Sequence, residues 1–219
     1  DEALGQSLFK LMSDGPEQDL VLTSNAQPAL MAVSIALIRV IEERSGMKIE
    51  NIAEYFAGHS LGEYSALTAA GSIKLFDAAK LLKLRGQSMQ SAVPVGAGAM
   101  AALLGADIEL ARDIAASAAN PGVCDVANDN APGQIVLSGD TETVKKAIEI
   151  SKHKGVKRAI LLPVSAPFHC SLMTPAARVM SEKLKEIEIK WPNVPVVANV
   201  LASKLKGGVD DIRESLVAQ

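Results

Sequence analysis

The sequence predicts an α/β protein in which a small subdomain is inserted into a larger one built on a parallel sheet. Three observations support this class. A Gly-x-Ser-x-Gly motif at residues 58–62 lies between an apolar run and a helical pattern. Residues 99–164 carry the element order β-α-β-β-α-β, and a helix and an apolar strand follow them. Helical and strand patterns that alternate in this way are typical of α/β folds.

The first part of the chain predicts a buried helix and then a sharp strand-to-helix turn. Residues 27–44 are apolar around almost the whole helix circumference, which indicates burial on most sides. Residues 52–57 predict a strand and residues 61–70 a helix, with Ser60 at the turn between them. The flanking glycines lack a Cβ, so we expect the strand and the helix to pass close together and Ser60 to adopt a strained, exposed conformation. This nucleophile-elbow arrangement predicts a hydrolase-like large subdomain, although a tight turn with a surface serine shares the motif.

The second part predicts an inserted subdomain. After a helix at residues 76–92, the predicted strands are 99–104, 123–128, 134–138 and 156–164, and the predicted helices are 108–119 and 141–154. Asp107 is the expected N-cap of the first of these helices. The order βαββαβ is typical of a ferredoxin-like subdomain. We therefore assign residues 93–164 to the small subdomain, and residues 1–92 and 165–219 to the large one, which resumes with a helix at 174–187 and a strand at 195–201.

Composition narrows the function classes. The formal net charge of −3 favours neither nucleic acid nor an anionic membrane as a partner. No apolar run reaches the about 18 residues that a membrane span needs. Cys124 and Cys170 lie far apart and in no metal-binding spacing, so we expect reduced thiols, no metal and a cytoplasmic protein. The chain opens on Asp1 without an initiator methionine and closes in a helical pattern without a stop signal, which predicts that both ends are truncated.

A serine nucleophile needs a base and an oxyanion donor. The backbone N–H of Leu61, at the start of the following helix, is the natural donor. Of the three histidines, His153 lies in a lysine-rich helix end and His59 is adjacent to Ser60, so its side chain points away and has a supporting role. His169, where the chain returns to the large subdomain, is the candidate base, and a structural histidine is the alternative. No acidic residue stands where it would orient this histidine as in a triad.

Three separated motifs resemble the malonyl-CoA:acyl-carrier-protein transacylase family over essentially the whole chain. They are residues 58–66 (GHSLGEYSA), residues 85–89 (RGQSM) and residues 166–169 (APFH). The resemblance implies that Ser60 carries the malonyl group, with His169 as general base. It also implies that Arg85 binds the free carboxylate of the substrate, because a guanidinium matches a carboxylate in two hydrogen bonds.

Further substrate-binding residues are implied by the same resemblance. Phe168 is similar to the residue of malonyl-preferring members, where a bulky ring leaves little room for an α-methyl branch. Gln27 matches a position near the active site, but Ser24 and Gln27 also fit a helix capping box. Asn128 and Asn130 match positions that approach substrate from the small subdomain, but they also fit turn chemistry. Met89 and His59 complete the predicted set.

The resemblance also implies the partners. They are malonyl-CoA, a coenzyme A thioester, and acyl carrier protein, which binds transiently and receives the group on its phosphopantetheine thiol. The implied enzyme is a monomer of fatty acid biosynthesis without a cofactor. Family members carry an N-terminal strand with a Gly-Gln-Gly-Ser-Gln loop that completes the oxyanion hole, and a C-terminal segment that orients the histidine. The sequence lacks the loop motif, and we expect both segments to be missing.

Three alternatives remain. An α/β-hydrolase-type thioesterase shares the serine motif, but its order is serine, acid, histidine, and the insert and Arg85 disfavour it. A non-catalytic acyl-carrier docking fragment would keep the fold without the missing loop. The third alternative is a chain cut from an acyltransferase domain of a polyketide synthase, and nothing that flanks the motifs argues for it.

Overall fold

The computed structural model describes residues 1–219, and the chain divides into two compact units. The first unit comprises residues 1–87 and 177–219, and the second comprises residues 88–176. Both boundaries fall inside helices, whereas the sequence predicts that the small subdomain begins at residue 93 and the large one resumes at residue 165. Two helices therefore contribute residues to both units.

The first unit combines helices with a small sheet. Its elements are α1 (Leu8–Asp14), α2 (Glu17–Leu20), α3 (Thr23–Ser45), β1 (Phe56–Ala57), α4 (Gly62–Ala69), most of α5 (Leu75–Ala92), most of α8 (Thr174–Lys185), β6 (Val196–Ala198), β7 (Ser203–Lys204) and α9 (Val209–Ala218). The sheet order is β1-β6-β7, with β1 and β6 parallel and β6 and β7 antiparallel. The predicted parallel sheet is thus mixed, because the chain turns back after β6 into a strand that the sequence did not predict.

The second unit is a four-stranded sheet with two helices. Its elements are β2 (Gly98–Leu104), α6 (Ile108–Ala118), β3 (Cys124–Ala131), β4 (Gln134–Asp140), α7 (Thr141–His153) and β5 (Arg158–Leu161), with the ends of the two shared helices. The strand order is β3-β4-β2-β5 and every neighbouring pair is antiparallel. Asp107 caps α6 as predicted, since its side chain accepts a hydrogen bond from the Leu110 N–H at 2.8 Å. The α/β class is confirmed.

Each unit has its own hydrophobic core. In the first unit, α4 lies at the centre: Tyr64 and Leu67 are fully buried and pack with residues of α3, α5 and α9. In the second unit, one face of the sheet packs on α6 and α7, around residues such as Leu103, Ile114 and Leu137. The core of the first unit therefore fixes the helix that follows the Ser60 turn.

Helix α3 is less buried than its sequence predicts. Met31 and Ile35 lie in the core, but the opposite face is exposed along its length, at Leu30, Val33, Leu37, Val40 and Ile41. The prediction of burial on most sides is wrong, because an apolar sequence does not determine how many neighbouring elements cover a helix.

By length and composition, α3 also meets the criteria for a membrane-crossing helix. An 18-residue window has a mean hydropathy of 1.3, and 28% of that window is buried. The expectation that no segment is apolar enough is therefore wrong on these criteria. Core helices of globular proteins meet the same criteria, so this finding does not by itself place the chain in a membrane.

Candidate active site

Ser60 occupies the turn between β1 and α4, in the strained conformation that the motif predicts. Its φ angle is +52°, in the left-handed region that non-glycine residues rarely adopt. The turn is closed by hydrogen bonds from the Gly62 N–H to the His59 carbonyl at 2.9 Å and from the Glu63 N–H to the Ser60 carbonyl at 3.1 Å. These bonds occupy the second and third amides after the serine, which leaves the Leu61 N–H as the candidate oxyanion donor. Ser60 is half-buried rather than exposed, and His59 is exposed.

The two glycines of the motif have different roles. A Cβ on Gly58 would lie 2.0 Å from the Gly62 carbonyl oxygen, so only glycine allows β1 and α4 to approach this closely. A Cβ on Gly62 would meet no atom within 4 Å. The expectation that both glycines provide the close approach is correct only for Gly58.

The substitution Gly58→Ala is expected to destabilise the first unit by about 1–3 kcal/mol, because backbone must move to admit the methyl group. Gly62→Ala is the matched control, and it is expected to leave stability unchanged or to raise it by about 0.4–1 kcal/mol. Thermal unfolding of both variants measures this difference. Equal melting temperatures for the two variants would contradict the geometry of the turn.

Arg85, on α5, brings a buried positive charge to the serine. Its side chain is 4% exposed, and its Nη2 atom donates to Ser60 Oγ at 3.3 Å. The same atom donates to Gln219 Oε1 at 3.2 Å, and Nη1 donates to Gln27 Oε1 at 2.8 Å. Burial lowers the pKa of the guanidinium, yet arginine stays protonated in proteins. All three acceptors are uncharged, so the site holds a buried cation without a bonded carboxylate.

Gln27 is brought to this cation by the start of α3. Its Nε2 atom donates to Thr23 Oγ1 at 2.8 Å, and its carbonyl oxygen faces Arg85. The capping-box interpretation is wrong, because the N-cap of α3 is Leu22 and not Ser24. The approach of α5 to α3 depends on a second glycine: a Cβ on Gly86 would lie 2.5 Å from the Cα of Ser24.

A buried carboxyl group lies under the turn. Glu63 is fully buried, and burial raises the pKa of its carboxyl group, while hydrogen bonds from Asn199 and Gln219 oppose this shift. The neighbouring Tyr64 ring lies 5.8 Å from the Arg85 guanidinium carbon, and burial raises the pKa of its hydroxyl to about 12. The ring and the carboxyl group favour a positive charge at Arg85.

His169 belongs to the second unit, in the segment between β5 and α8. Its φ angle is +57°, so Ser60 and His169 are two of the three non-glycine residues with positive φ, the third being Ala202. Such strain persists only where surrounding contacts hold it, and it is concentrated at functional sites. Within the unit, Ser165 accepts a hydrogen bond from the side chain of Gln90 at 3.1 Å, and the Ser171 N–H donates to Asp125 Oδ2 at 2.7 Å. These bonds hold both sides of the histidine.

The other predicted binding residues also lie in the second unit. Phe168 packs in an apolar cluster that includes Met89 and Met173. Asn128 and Asn130 lie in β3, and the turn before β4 is formed by residues 132–133 instead. The turn interpretation of the asparagines is therefore wrong, and both stand where β3 departs from regular pairing with β4.

The structure thus joins Ser60, Arg85 and Gln27 in the first unit, whereas His169, Phe168, Met89, Asn128 and Asn130 are part of the second. Three residues of the first unit that contact this site or each other were not predicted from the sequence: Glu63, Asn199 and Gln219. Glu63 stood inside the serine motif, but no local signal identified the other two. No group of three or more histidine, cysteine, aspartate or glutamate side chains is arranged to hold a metal ion.

Comparison with known proteins decides the family. A family model described as the acyl transferase domain matches residues 1–213. Over 220 residues the chain is 45% identical to the malonyl CoA-acyl carrier protein transacylase of Bacillus subtilis (strain 168), covering 100% of the chain and 68% of that relative. The chain belongs to the malonyl-CoA:acyl-carrier-protein transacylase family of acyl transferases. The resemblance inferred from its three motifs is confirmed.

Solved structures place this acyl transferase in the same family. The acyl-carrier-protein S-malonyltransferase of Bartonella henselae is 49% identical, with a TM-score of 0.94 over 100% of the chain and 69% of that structure. A malonyl-transacylase solved in complex with a holo type II polyketide synthase acyl carrier protein is 42% identical, with a TM-score of 0.93 over 99% of the chain and 69% of that structure. Identity at this level accompanies the same fold.

Proposed function

We propose that this acyl transferase moves the malonyl group from malonyl-CoA to the phosphopantetheine thiol of acyl carrier protein through a malonyl ester on Ser60, in fatty acid biosynthesis. The observation that carries the proposal is the buried guanidinium of Arg85, which reaches Ser60 Oγ at 3.3 Å and has only uncharged hydrogen-bond acceptors. A substrate that carries a free carboxylate next to its reacting carbonyl would supply the missing negative charge.

The first half-reaction loads the serine. His169 takes the hydroxyl proton of Ser60 while Oγ attacks the thioester carbonyl of malonyl-CoA. The tetrahedral oxyanion accepts hydrogen bonds from the Leu61 N–H and a second backbone amide. The intermediate collapses, the carbon–sulfur bond breaks, and the departing coenzyme A thiolate takes the proton from His169. The malonyl ester of Ser60 remains.

The second half-reaction unloads it. His169 removes the proton from the phosphopantetheine thiol of the carrier protein, and the thiolate attacks the ester carbonyl. The bond to Ser60 breaks, and the serine oxygen recovers the proton from His169. Because acyl donor and acceptor use the same serine in turn, the kinetics are ping-pong.

Selectivity for malonyl groups is proposed to come from two residues of different chemistry. Arg85 would bind the carboxylate with two parallel hydrogen bonds in place of its bond to Gln219. Phe168, half-buried in the apolar cluster with Met89, would limit the room beside the α-carbon. Gln27 would keep the guanidinium in place, and His59, Asn128 and Asn130 would contact the remaining parts of the substrate.

The transfer assay that tests this function uses malonyl-CoA and holo acyl carrier protein. We expect the intact mass of the carrier protein to rise by one malonyl group, with coenzyme A released in equal amount. A thioesterase would instead release malonate and leave the carrier protein unmodified. A non-catalytic docking protein would bind the carrier without releasing coenzyme A, and either result would refute the proposal.

The substitution His169→Ala is expected to slow the loading of Ser60 by roughly 10²–10⁴-fold, the usual contribution of general-base catalysis. Rapid-quench mass spectrometry of the enzyme after mixing with malonyl-CoA gives the loading rate. The control is His153→Ala, which removes an exposed imidazole at the end of α7. Similar loading rates in both variants would show that His169 is not the base.

We further propose that residues 93–164 form a ferredoxin-like subdomain inserted in a hydrolase-like one. Support comes from the βαββαβ element order and the antiparallel strand order of the second unit. The proposed enzyme is a cytoplasmic monomer that binds its carrier protein transiently. It is proposed to require no metal or cofactor, because His169 carries out each proton transfer, backbone amides stabilise the oxyanion and Arg85 supplies the positive charge for the carboxylate.

A further inference from the structure

Asn199 connects both sides of the serine turn. Its Oδ1 atom accepts a hydrogen bond from the Ser60 N–H at 3.2 Å, and its Nδ2 atom donates to the Gly58 carbonyl at 2.9 Å. Asn199 follows β6 directly, as the serine turn follows β1. Because β1 and β6 are parallel neighbours, both strands end at the same edge of the sheet. One side chain thus forms hydrogen bonds to the backbone of the nucleophile, Ser60, and to the backbone of Gly58, two residues before it.

Glu63 fixes the orientation of this amide. Its Oε2 atom accepts from the Asn199 backbone N–H at 2.8 Å, from Asn199 Nδ2 at 2.5 Å and from Gln219 Nε2 at 2.9 Å. Because Oε2 accepts from Nδ2, the amide presents its NH₂ group to Glu63. Its oxygen then faces the Ser60 N–H. The fully buried carboxyl group therefore determines which end of Asn199 meets the nucleophile.

We propose that Asn199, oriented by Glu63, is a positioning residue that holds the backbone of Ser60 in its left-handed conformation. That conformation, with φ at +52°, directs Ser60 Oγ toward Arg85 at 3.3 Å. A non-glycine residue stays in this region only where its surroundings hold it. The proposal rests on Ser60 as the loaded residue, and it adds what keeps the serine oxygen in the attacking position.

The substitution Asn199→Asp tests the donor end of the amide. It keeps the size and the acceptor for the Ser60 N–H, but it places a second carboxyl group beside Glu63 and removes the donor to Gly58. We expect the maximal loading rate to fall about 10²-fold, as misplacement of a reacting group by about 1 Å does. The malonyl-CoA concentration for half-maximal loading should stay within about twofold, because Arg85 is untouched.

Adding Glu63→Gln to Asn199→Asp places an N–H donor at residue 63, facing the new carboxyl group at residue 199. We expect the double variant to recover at least about tenfold of the loading rate, because a donor and an acceptor again face each other. The melting temperatures of the single and double variants are measured alongside. If Asn199 only maintained the fold, the loading rate would not recover in a double variant whose melting temperature equals that of Asn199→Asp.

The matched control is Asn193→Asp. Asn193 also donates through Nδ2 to a carboxylate, Glu50 Oε2 at 3.2 Å, in the same unit but away from the serine turn. We expect its loading rate to equal that of the wild type. A loading rate reduced as strongly in this control as in Asn199→Asp would overturn the proposal.

Amide hydrogen exchange of the peptide that contains Ser60 tests the positioning without any substrate. We expect faster exchange in Asn199→Asp than in the wild type, and slower exchange again in the double variant. Unchanged exchange and an unchanged loading rate in Asn199→Asp would overturn the positioning role, as would loss of folding in both variants. If Asn199→Asp exchanges faster than the wild type as expected, but the wild type forms no malonyl-Ser60, only the proposed function is refuted.

Discussion

Ser60→Ala is expected to lower malonyl transfer to acyl carrier protein by roughly 10⁶-fold, the loss that serine proteases show without their serine. The oxygen at the turn carries the acyl group in both half-reactions, and no other group can replace it. The remaining structure should be unaffected, since the serine side chain is half-buried and its backbone is held by Asn199. The measurement is the initial rate of carrier-protein malonylation, followed by mass spectrometry.

The control for this variant is Ser65→Ala. Ser65 lies on α4 immediately beyond the turn, and its buried hydroxyl oxygen has no hydrogen-bond partner. Removal of this hydroxyl costs no hydrogen bond, so we expect a rate within about threefold of the wild type. Transfer that survives in Ser60→Ala would assign the nucleophile to another residue.

Arg85→Ala is expected to lower malonyl transfer by about 10²–10³-fold, while acetyl transfer is retained or increased. The malonyl carboxylate would enter a buried site without its cation, and an unpaired buried charge costs about 3–5 kcal/mol. An acetyl group carries no charge and needs no such partner. Initial rates with malonyl-CoA and acetyl-CoA give the ratio that measures this selectivity.

Two further variants sharpen the test of Arg85. Arg85→Lys keeps the charge but cannot form two parallel hydrogen bonds, so it should restore less than about a tenth of the malonyl rate. Arg44→Ala removes an exposed guanidinium at the end of α3 and should leave both rates unchanged. If Arg85→Ala lowers the two acyl transfers equally, Arg85 maintains the fold and does not select the substrate.

The parts of the fold that depend on local sequence were predictable. Helix α6 begins at Ile108 as expected, because Asp107 supplies a capping acceptor next to it. The conformation of Ser60 followed from the glycine pattern around it. Strand β1 is shorter than predicted, because the N–H groups of Ile52 and Ala53 bond back to the Ile49 carbonyl and the parallel pairing with β6 includes only Phe56 and Ala57. An apolar run does not reveal how far its partner strand extends.

The parts of the site that depend on distant contacts were not predictable. Asn199 lies 139 positions from Ser60 and reaches it only because β1 and β6 pair. Nothing near Asn199 in the sequence indicates that pairing. Gln219 likewise meets Glu63 and Arg85 through the packing of α9 in the core of the first unit. Arg85 was identified by resemblance alone, and its burial and its uncharged acceptors emerged only from the fold.

The most direct test of the central claim is to locate the malonyl group on the enzyme. The protein is mixed with malonyl-CoA without carrier protein, quenched in acid, digested and sequenced by tandem mass spectrometry. We predict one malonyl group per chain, attached to Ser60 and discharged when holo acyl carrier protein is added before quenching. Stable attachment at any other residue, or release of coenzyme A with no malonyl enzyme at any time, would contradict a transfer reaction through Ser60.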